Sequence, residues 1–277
     1  MWETFLTILQ TTATKTLSTL LDARSGILPY VRKLFILQQD LDVECLHRLR
    51  LSISAIASDR LLRFDCNGAI PLSIFQLLLQ SHRQLTGLSV PIQYSPSSEG
   101  VTSMQHYPWI PLHLANITHY EMSIPLESAL YPQSIRYGRF LVRNTPNLRS
   151  LDLLHWNVNL TSETCEDGGF CIDLALLVPS EEEPIKFPNL ESLRWYFFNL
   201  TRGSSRFLSD IDASKLHNLT LDQCSNIIPF LAEFTDRECL SSTVLHIVHI
   251  KLEWDLVEVE QTLAAVNTFL QNRTGLH

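Results

Sequence analysis

The sequence predicts an α/β protein of stacked repeats, with a curved parallel sheet and helices on its convex side. Two observations support this prediction. A six-position pattern (apolar, two variable, apolar, one variable, apolar) recurs eight times, at intervals of 26 to 42 residues. Segments with helical spacing of apolar residues lie between many of the recurrences. Recurrence at about 20–50 residues is typical of stacked repeats, in which each unit buries its apolar face against its neighbours.

Each recurrence predicts a short strand with one buried face, because its second and third apolar residues are two positions apart. The second recurrence begins with an aspartate and matches the pattern least well. The eight predicted triplets are Val31-Leu34-Ile36, Asp59-Leu62-Phe64, Leu85-Leu88-Val90, Ile117-Tyr120-Met122, Leu148-Leu151-Leu153, Leu190-Leu193-Trp195, Leu216-Leu219-Leu221 and Ile247-Ile250-Leu252.

Helical returns between these strands would make them parallel, because a parallel pair needs a crossover connection. The segments with apolar residues three and four apart are 72–79, 135–142, 172–177, 228–234 and 256–270. We expect residues 1–28 to form an N-terminal helical cap, residues 29–254 to form about eight repeats, and residues 255–277 to form a C-terminal capping helix.

Composition and charge limit the partners of this chain. A formal charge of −8, with Arg32-Lys33 as the longest cationic run, argues against a sequence-independent grip on nucleic acid. The sequence contains no run of 18 apolar residues, so we expect no membrane-spanning helix. The first residues match a secretory signal poorly. Six cysteines without CxxC spacing are typical of reduced thiols. We therefore expect an intracellular protein, cytoplasmic or nuclear, that does not associate with membranes.

The sequence carries no recognisable catalytic or cofactor motif, so we expect neither an enzyme nor a bound cofactor. His246 and His249 are three apart, but in a strand they would face opposite sides, which disfavours a shared metal. Asp210 and Asp212 lie beside serines and indicate a turn or helix cap. The alternative function is an α/β enzyme with its site in the insertion 157–183.

Candidate binding residues follow from the alternation, which places the residues between the buried positions on the concave face. Aromatic and arginine side chains there are frequent contributors to binding free energy. The predicted partner-binding residues are His119, Glu121, Asp152, Leu154, Trp156, Arg194, Tyr196, Thr220 and Lys251.

Three phrases resemble irregular leucine-rich repeats and are similar to those of filamentous-fungal F-box proteins. They span residues 29–36, 145–153 and 187–195, the last two with a Pro-Asn-Leu core, and the resemblance extends from about Leu28 to Leu252. It implies that the repeats present a substrate while a helical F-box docks on the adaptor of a cullin-type ubiquitin ligase. A Leu-Pro-x-Glu phrase is typical of an F-box, and nothing before Val31 matches it.

The expected function is therefore protein–protein recognition on the concave face, as the substrate-recognition part of such a ligase. The expected partner is a protein or a ubiquitination substrate. A truncated product without independent function is a further alternative to the enzyme described above.

Overall fold

The computed structural model describes most of the chain. The described residues are 4–8, 13–22, 26–38, 40–93, 107–125, 131–156, 172–173, 186–196, 198–200, 211–222, 224, 226–235, 247–251 and 256–271. They fall into two compact units, Met1–Ser123 (unit 1) and Ile124–His277 (unit 2).

Strands and helices alternate along much of the chain. The strands are β1 (Thr4–Ile8), β2 (Val31–Ile36), β3 (Arg63–Cys66), β4 (Ile70–Pro71), β5 (Gly87–Ser89), β6 (Ile92–Gln93), β7 (His119–Pro125), β8 (Ser150–Trp156), β9 (Ile172–Asp173), β10 (Ser192–Tyr196), β11 (Phe198–Asn199), β12 (Asn218–Asp222) and β13 (Ile247–Lys251). The α-helices are α1 (Ala13–Leu21), α2 (Val43–Ala55), α3 (Leu72–Ser81), α4 (Trp109–Leu114), α5 (Tyr131–Arg143), α6 (Ile227–Thr235) and α7 (Leu256–Gln271).

In unit 1 the main strands lie side by side in the order β1-β2-β3-β5-β7, and each neighbouring pair is parallel. Strands β4 and β6 form a separate short parallel pair. The main strands follow one another in space as they do in sequence, with a helix between successive strands. This arrangement confirms the predicted parallel strands with helical returns for this unit.

In unit 2 the main strands lie in the order β8-β10-β12-β13, again parallel in each neighbouring pair. Strands β9 and β11 form a second short parallel pair. The predicted α/β class with parallel strands is therefore confirmed in both units.

Three buried positions per strand form the core of the described repeats. Seven repeats bury all three of these side chains to 4% relative exposure or less. The buried triplets are Val31-Leu34-Ile36, Leu61-Phe64-Cys66, Leu85-Leu88-Val90, Ile117-Tyr120-Met122, Leu148-Leu151-Leu153, Leu190-Leu193-Trp195 and Leu216-Leu219-Leu221. Six of the seven are the predicted triplets, so the alternation of buried and open positions is confirmed there.

The second predicted triplet was wrong by two residues. Phe64 pairs with Leu34 on one side and Leu88 on the other, so Phe64 is the second buried position rather than the third. Cys66 completes the triplet. Asp59 instead has a positive φ of 60°, and its carboxylate accepts a hydrogen bond of 2.7 Å from the Arg83 amide.

The eighth predicted triplet is also shifted by two residues, but in the opposite direction. Val248 pairs with Leu219, and Ile250 pairs with Leu221, the third buried position of its own strand. Ile250 therefore occupies the third position in register and not the predicted second position.

Two further expectations about secondary structure were wrong. Part of the expected N-terminal helical cap is strand β1, which pairs in parallel with β2. Among the described residues of that segment, only Ala13–Leu21 forms an α-helix. Thr4, Phe5 and Thr7 are β-branched or aromatic residues that favour an extended backbone. Ile172–Asp173, expected at the start of a short helix, forms strand β9.

Main-chain hydrogen bonds join successive repeats where their strands begin. The Leu62 carbonyl accepts hydrogen bonds from the amides of Thr86 (2.8 Å) and Gly87 (3.0 Å) and from the Thr86 hydroxyl (3.1 Å). The Thr86 carbonyl accepts the corresponding bonds from Thr118 and His119 in the next repeat. These contacts fix the register in which outward side chains become neighbours.

Helix α6 lies on the side of the strands that carries the buried triplets. Trp195 of β10 packs edge-on against Phe230 of α6, with ring centroids 5.4 Å apart. Helix α2 begins at Asp42, whose carboxylate accepts a hydrogen bond of 2.6 Å from the Cys45 amide and caps the helix. Among the described helices, none combines the length and apolar character needed to cross a membrane.

Candidate functional site

The outward face of each unit's strands carries the polar side chains that alternate with the buried triplets. Because paired strands are in register, these side chains form rows across neighbouring strands. In unit 2 one row joins Asp152, Arg194 and Thr220, and the next joins Leu154, Tyr196 and Asp222. The predicted binding residues of this unit are therefore brought together on one face.

The central contact in unit 2 is an ion pair across strands β8 and β10. Arg194 Nη1 lies 3.7 Å from Asp152 Oδ2, and about half of the Arg194 side chain is exposed. The Ser150 hydroxyl donates a long hydrogen bond of 3.5 Å to Asp152 Oδ1. The Asp152 side chain is 19% exposed. Pairs that remain open to solvent contribute roughly 0–1 kcal/mol to stability, so this pair adds little to the stability of the fold.

Three other predicted residues lie on the strands of unit 2, namely Thr220, Lys251 and Trp156. Thr220 lies opposite Arg194 and is partly exposed. Lys251 is in register with Asp222 at the backbone level, and Trp156 ends strand β8; the side chains of both are outside the described part of the structure.

The predicted residues of unit 1, His119 and Glu121, lie on strand β7. His119 is exposed, and its Nδ1 lies 2.8 Å from the Thr118 hydroxyl. Register places it in a row with Gly87, Arg63 and Lys33, while Glu121 continues a row formed by Ser89, Asp65 and Phe35.

Arg63 contacts three neighbouring residues on this face, and the Arg63 cluster is defined here as Phe35, Arg63, Asp65 and Gly87. Arg63 Nε donates a hydrogen bond of 2.7 Å to Asp65 Oδ2. The guanidinium carbon lies 5.7 Å from the centroid of the Phe35 ring, within the range of a cation–π interaction. A Cβ added to Gly87 would lie 2.9 Å from Arg63 Cγ, so the arginine stem occupies the space that glycine leaves open.

Asp65 lies in surroundings that disfavour its charge. Only 14% of its side chain is exposed, and Oδ1 is buried without a hydrogen-bond partner among the described residues. Burial raises the pKa of Asp65 above its usual value of 3.8, and the nearby charge and hydrogen bond of Arg63 offset that effect only in part. A buried ionisable group with a shifted pKa on an otherwise open face marks a candidate site.

The described cysteines are poorly suited to nucleophilic chemistry. Cys45, Cys66 and Cys224 are free and buried. Burial raises the pKa of the Cys66 thiol to about 12, which keeps it in the unreactive thiol form.

In the portion of the chain that the structure describes, no group of three His, Cys, Asp or Glu side chains could hold a metal ion. Asp212 accepts hydrogen bonds from the Ser214 amide and hydroxyl at the start of a short 3₁₀ turn, as predicted for a capping residue. Most of the insertion 157–183 lies outside the described residues.

Sequence reasoning did not single out the Arg63 cluster. The signal was available in Arg63-Phe64-Asp65, where two charged residues flank a buried aromatic one. The wrong position of the second triplet obscured it, because Phe64 was counted as the last buried residue and Asp65 then lay beyond the strand pattern.

Comparison with known proteins shows a distant likeness in fold. No protein-family model matches this chain, and no curated protein matches it. A crystal structure of a Bacteroides fragilis protein, determined by a structural genomics consortium, covers 94% of this chain and 71% of its own, with a TM-score of 0.51 and 14% sequence identity. At this identity the likeness concerns the fold alone.

Proposed function

We propose that this chain is a protein-recognition module that binds a partner through the outward face of its parallel strands. One observation carries the proposal: charged, hydroxyl and aromatic side chains are aligned in rows on a face whose alternate positions are fully buried. The Asp152–Arg194 pair is the clearest example, since it lies across two strands and about half of the Arg194 side chain is exposed. Such a face offers fixed charges and hydrogen-bond groups at little conformational cost to binding.

We further propose that each unit is a stretch of leucine-rich-repeat solenoid, with a curved sheet and helices on the convex side. The sequential order of parallel strands in each unit and the three buried residues per repeat support this proposal. Membership of an F-box-type ubiquitin ligase, as its intracellular substrate-recognition part, rests on the phrases that resemble fungal F-box proteins.

The test compares the proteins recovered by the tagged full chain and by two charge-reversal variants. Arg194→Glu changes the outward face of unit 2. Arg48→Glu is the matched control, because Arg48 lies on helix α2 and pairs only with Glu44 of the same helix among the described residues. We expect at least one protein to be recovered equally by the wild type and Arg48→Glu and to be depleted about tenfold or more with Arg194→Glu.

Recovery that is the same for all three chains would contradict recognition by this face. The ligase proposal has its own readout, which is recovery of a cullin-ligase adaptor together with the protein partner. If partners depend on Arg194 but the adaptor is never recovered, the ligase assignment is wrong and the recognition proposal stands.

A further inference from the structure

We propose that helix α4 of unit 1 presents a docking site for a proline-rich segment of a partner protein. The site is the Trp109 cluster, defined here as Tyr107, Trp109, Leu112 and His113. None of these residues belongs to the rows on the strands, so the inference goes beyond the proposed function and does not depend on it. The rings of Trp109 and Tyr107 would pack against proline rings, and their polar tips would donate hydrogen bonds to carbonyls of the segment.

The first argument is the kind of residue that helix α4 leaves open. Ile110 and Leu114 are four positions apart and form its buried face. Trp109, Leu112 and His113 are three and four positions apart, so they are neighbours on another face of the helix. The open face of a surface helix usually carries charged and polar side chains. Here it carries two rings and a leucine that is 72% exposed, which is typical of a surface that binds a partner.

The second argument is that the Trp109 ring is held in place before a ligand binds. It packs edge-on against the His113 ring, with centroids 5.4 Å apart and an angle of 73° between the planes. The Tyr107 ring lies 6.0 Å from it on a tilted plane. His113 is itself fixed, because its Nδ1 lies 2.8 Å from the Leu79 carbonyl of α3. Part of the rotamer freedom of the cluster is therefore already lost on folding, which favours binding.

The third argument concerns the hydrogen-bond donors that the rings leave unused. Neither the Trp109 indole N–H nor the Tyr107 hydroxyl forms a hydrogen bond with a described residue. Tyr107 is 40% exposed. Trp109 Nε1 is not among the fully buried atoms that lack a partner, so solvent reaches it. The cluster therefore offers two reachable donors, each at the edge of an apolar ring.

The fourth argument is the lack of charge around the cluster. Helix α3 (Leu72–Ser81) and residues 107–116 contain no Asp, Glu, Lys or Arg. Among the described contacts of residues 107–116, the bond from the Asn116 side chain to the Arg83 carbonyl brings in a charged residue, and Asn116 lies beyond the end of α4. A charged segment would lose hydration at the cluster without gaining an opposite charge on either helix, so an uncharged ligand is the better match.

The fifth argument concerns the backbone of the ligand. A polyproline II segment has no internal hydrogen bonds, so its carbonyls are free to accept from Trp109 and Tyr107. A docked helix uses most of its carbonyls internally and would cover the two donors without satisfying them. Surfaces lined with aromatic rings bind proline-rich segments in this way, and the stiffness of such a segment limits its loss of entropy.

The experiment titrates the purified full chain with the peptide Ac-Pro-Pro-Pro-Pro-Pro-Pro-NH2 and follows the nitrogen-15 amide signals between residues 107 and 116. The uncharged peptide Ac-Gly-Ser-Gly-Ser-Gly-Ser-NH2 is the ligand control. We expect Trp109→Phe and Tyr107→Phe, which keep an aromatic ring and remove its donor, each to weaken binding about fivefold or more. Tyr30→Phe is the matched protein control, because Tyr30 is 70% exposed and lies outside the cluster, and it should change affinity less than about twofold.

A second measurement uses the wild-type chain. The indole N–H signal of Trp109, identified by its loss in Trp109→Phe, should shift with the proline peptide and should not shift with the glycine–serine peptide. Absence of any shift, equal binding of both peptides, or unchanged affinity in both phenylalanine variants would overturn the inference. A shift of this signal with protein concentration alone would also overturn it, because a second copy of the chain would then be the occupant.

The two proposals fail in different ways. If a protein partner is lost with Arg194→Glu but no Trp109-dependent peptide binding is found, the proline-rich site is wrong and recognition by the strand face stands. If Trp109-dependent peptide binding is found while no partner depends on Arg194, recognition through the unit 2 face is wrong and the site on α4 stands.

Discussion

Asp65 is an ionisable side chain that is only 14% exposed, and its described partner Arg63 compensates only part of the cost of burying its charge. Desolvation disfavours its ionised form, and the Arg63 contact favours that form less strongly, so the pKa is raised. The folded protein therefore binds this proton more tightly than the unfolded chain. Its contribution to stability is fully present below the unfolded value of 3.8 and is lost as pH rises through the higher folded pKa.

We expect Asp65→Asn to have a free energy of unfolding at pH 7 equal to or greater than that of the wild type. The reason is that the substitution removes a buried charge that the native structure disfavours. Arg63→Gln is the informative comparison and should lower that free energy by about 1 kcal/mol or more, because it leaves the Asp65 carboxylate without its described partner. Urea denaturation at pH 7 measures both. Clear destabilisation of Asp65→Asn alone would show that the ion pair outweighs the desolvation.

Leu151 and Leu154 allow the same substitution to be compared on the two faces of strand β8. Leu151 is fully buried, whereas Leu154 is partly exposed on the outward face. We expect Leu151→Asp to lower the free energy of unfolding by about 3 kcal/mol or more, and Leu154→Asp by less than about 1 kcal/mol. Thermal and urea denaturation would measure the difference, and equal losses in the two variants would contradict the assigned register.

Two histidines link the ends of successive helices in unit 1. His82, which ends α3, lies with Nε2 3.3 Å from the Ile53 carbonyl of α2, and His113 of α4 lies with Nδ1 2.8 Å from the Leu79 carbonyl of α3. Carbonyls in the last turn of a helix lack partners within the helix. A histidine from the next repeat therefore provides a hydrogen-bond partner for a carbonyl at each of these helix ends.

His82 also makes stability depend on pH. Burial lowers its pKa, against smaller opposing effects of the Ile53 carbonyl and Asp59. The unfolded chain therefore binds this proton more readily, so stability is lost as pH falls below the usual value of 6.5 and towards the lower folded pKa.

We expect His82→Gln to lose part of the decrease in unfolding free energy between pH 7 and pH 5. Glutamine retains a donor for the Ile53 carbonyl but cannot be protonated in this range. The control is His47→Gln on the exposed surface of α2, which should keep the wild-type dependence on pH. Urea denaturation at several pH values provides the measurement. Identical pH profiles for His82→Gln and the wild type would exclude this role for His82.

At the scale of the elements, the sequence predicted the strands well wherever the buried residues are strongly apolar. It failed at Asp59 and Leu62 because a shift of two positions preserves the alternation, so that Leu62-Phe64 and Phe64-Cys66 both fit the last two positions of the pattern. Helix α2 was not anticipated because its apolar residues are interrupted by charged ones. Strand β1 was missed because its short apolar spacing suits both a strand and a helix.

At the scale of the molecule, the sequence could predict which residues face outward but not which of them make contacts. Asp152 and Arg194 are 42 positions apart, and only the parallel register of β8 and β10 makes them neighbours. The Arg63 cluster needs more still, since its geometry depends on Phe35, on the missing side chain of Gly87 and on Asp65 at once. The spacing of Arg63 and Asp65 is visible in the sequence, but the contacts with Phe35 and Gly87 depend on the register of neighbouring strands.

Exchanging the charges of Asp152 and Arg194 tests whether the outward face determines which partner the whole chain binds. The double variant Asp152→Arg with Arg194→Asp keeps the net charge of −8, so long-range electrostatic attraction to a partner is unchanged. Its ion pair can form in the reverse direction, and we expect its free energy of unfolding to stay within about 1 kcal/mol of the wild type. Recovery of the Arg194-dependent partner should nevertheless fall about tenfold, because each partner group would meet the wrong charge. Urea denaturation and quantitative recovery on the same preparations measure both effects. A stable double variant that still recovers its partner in full would show that this face does not determine recognition.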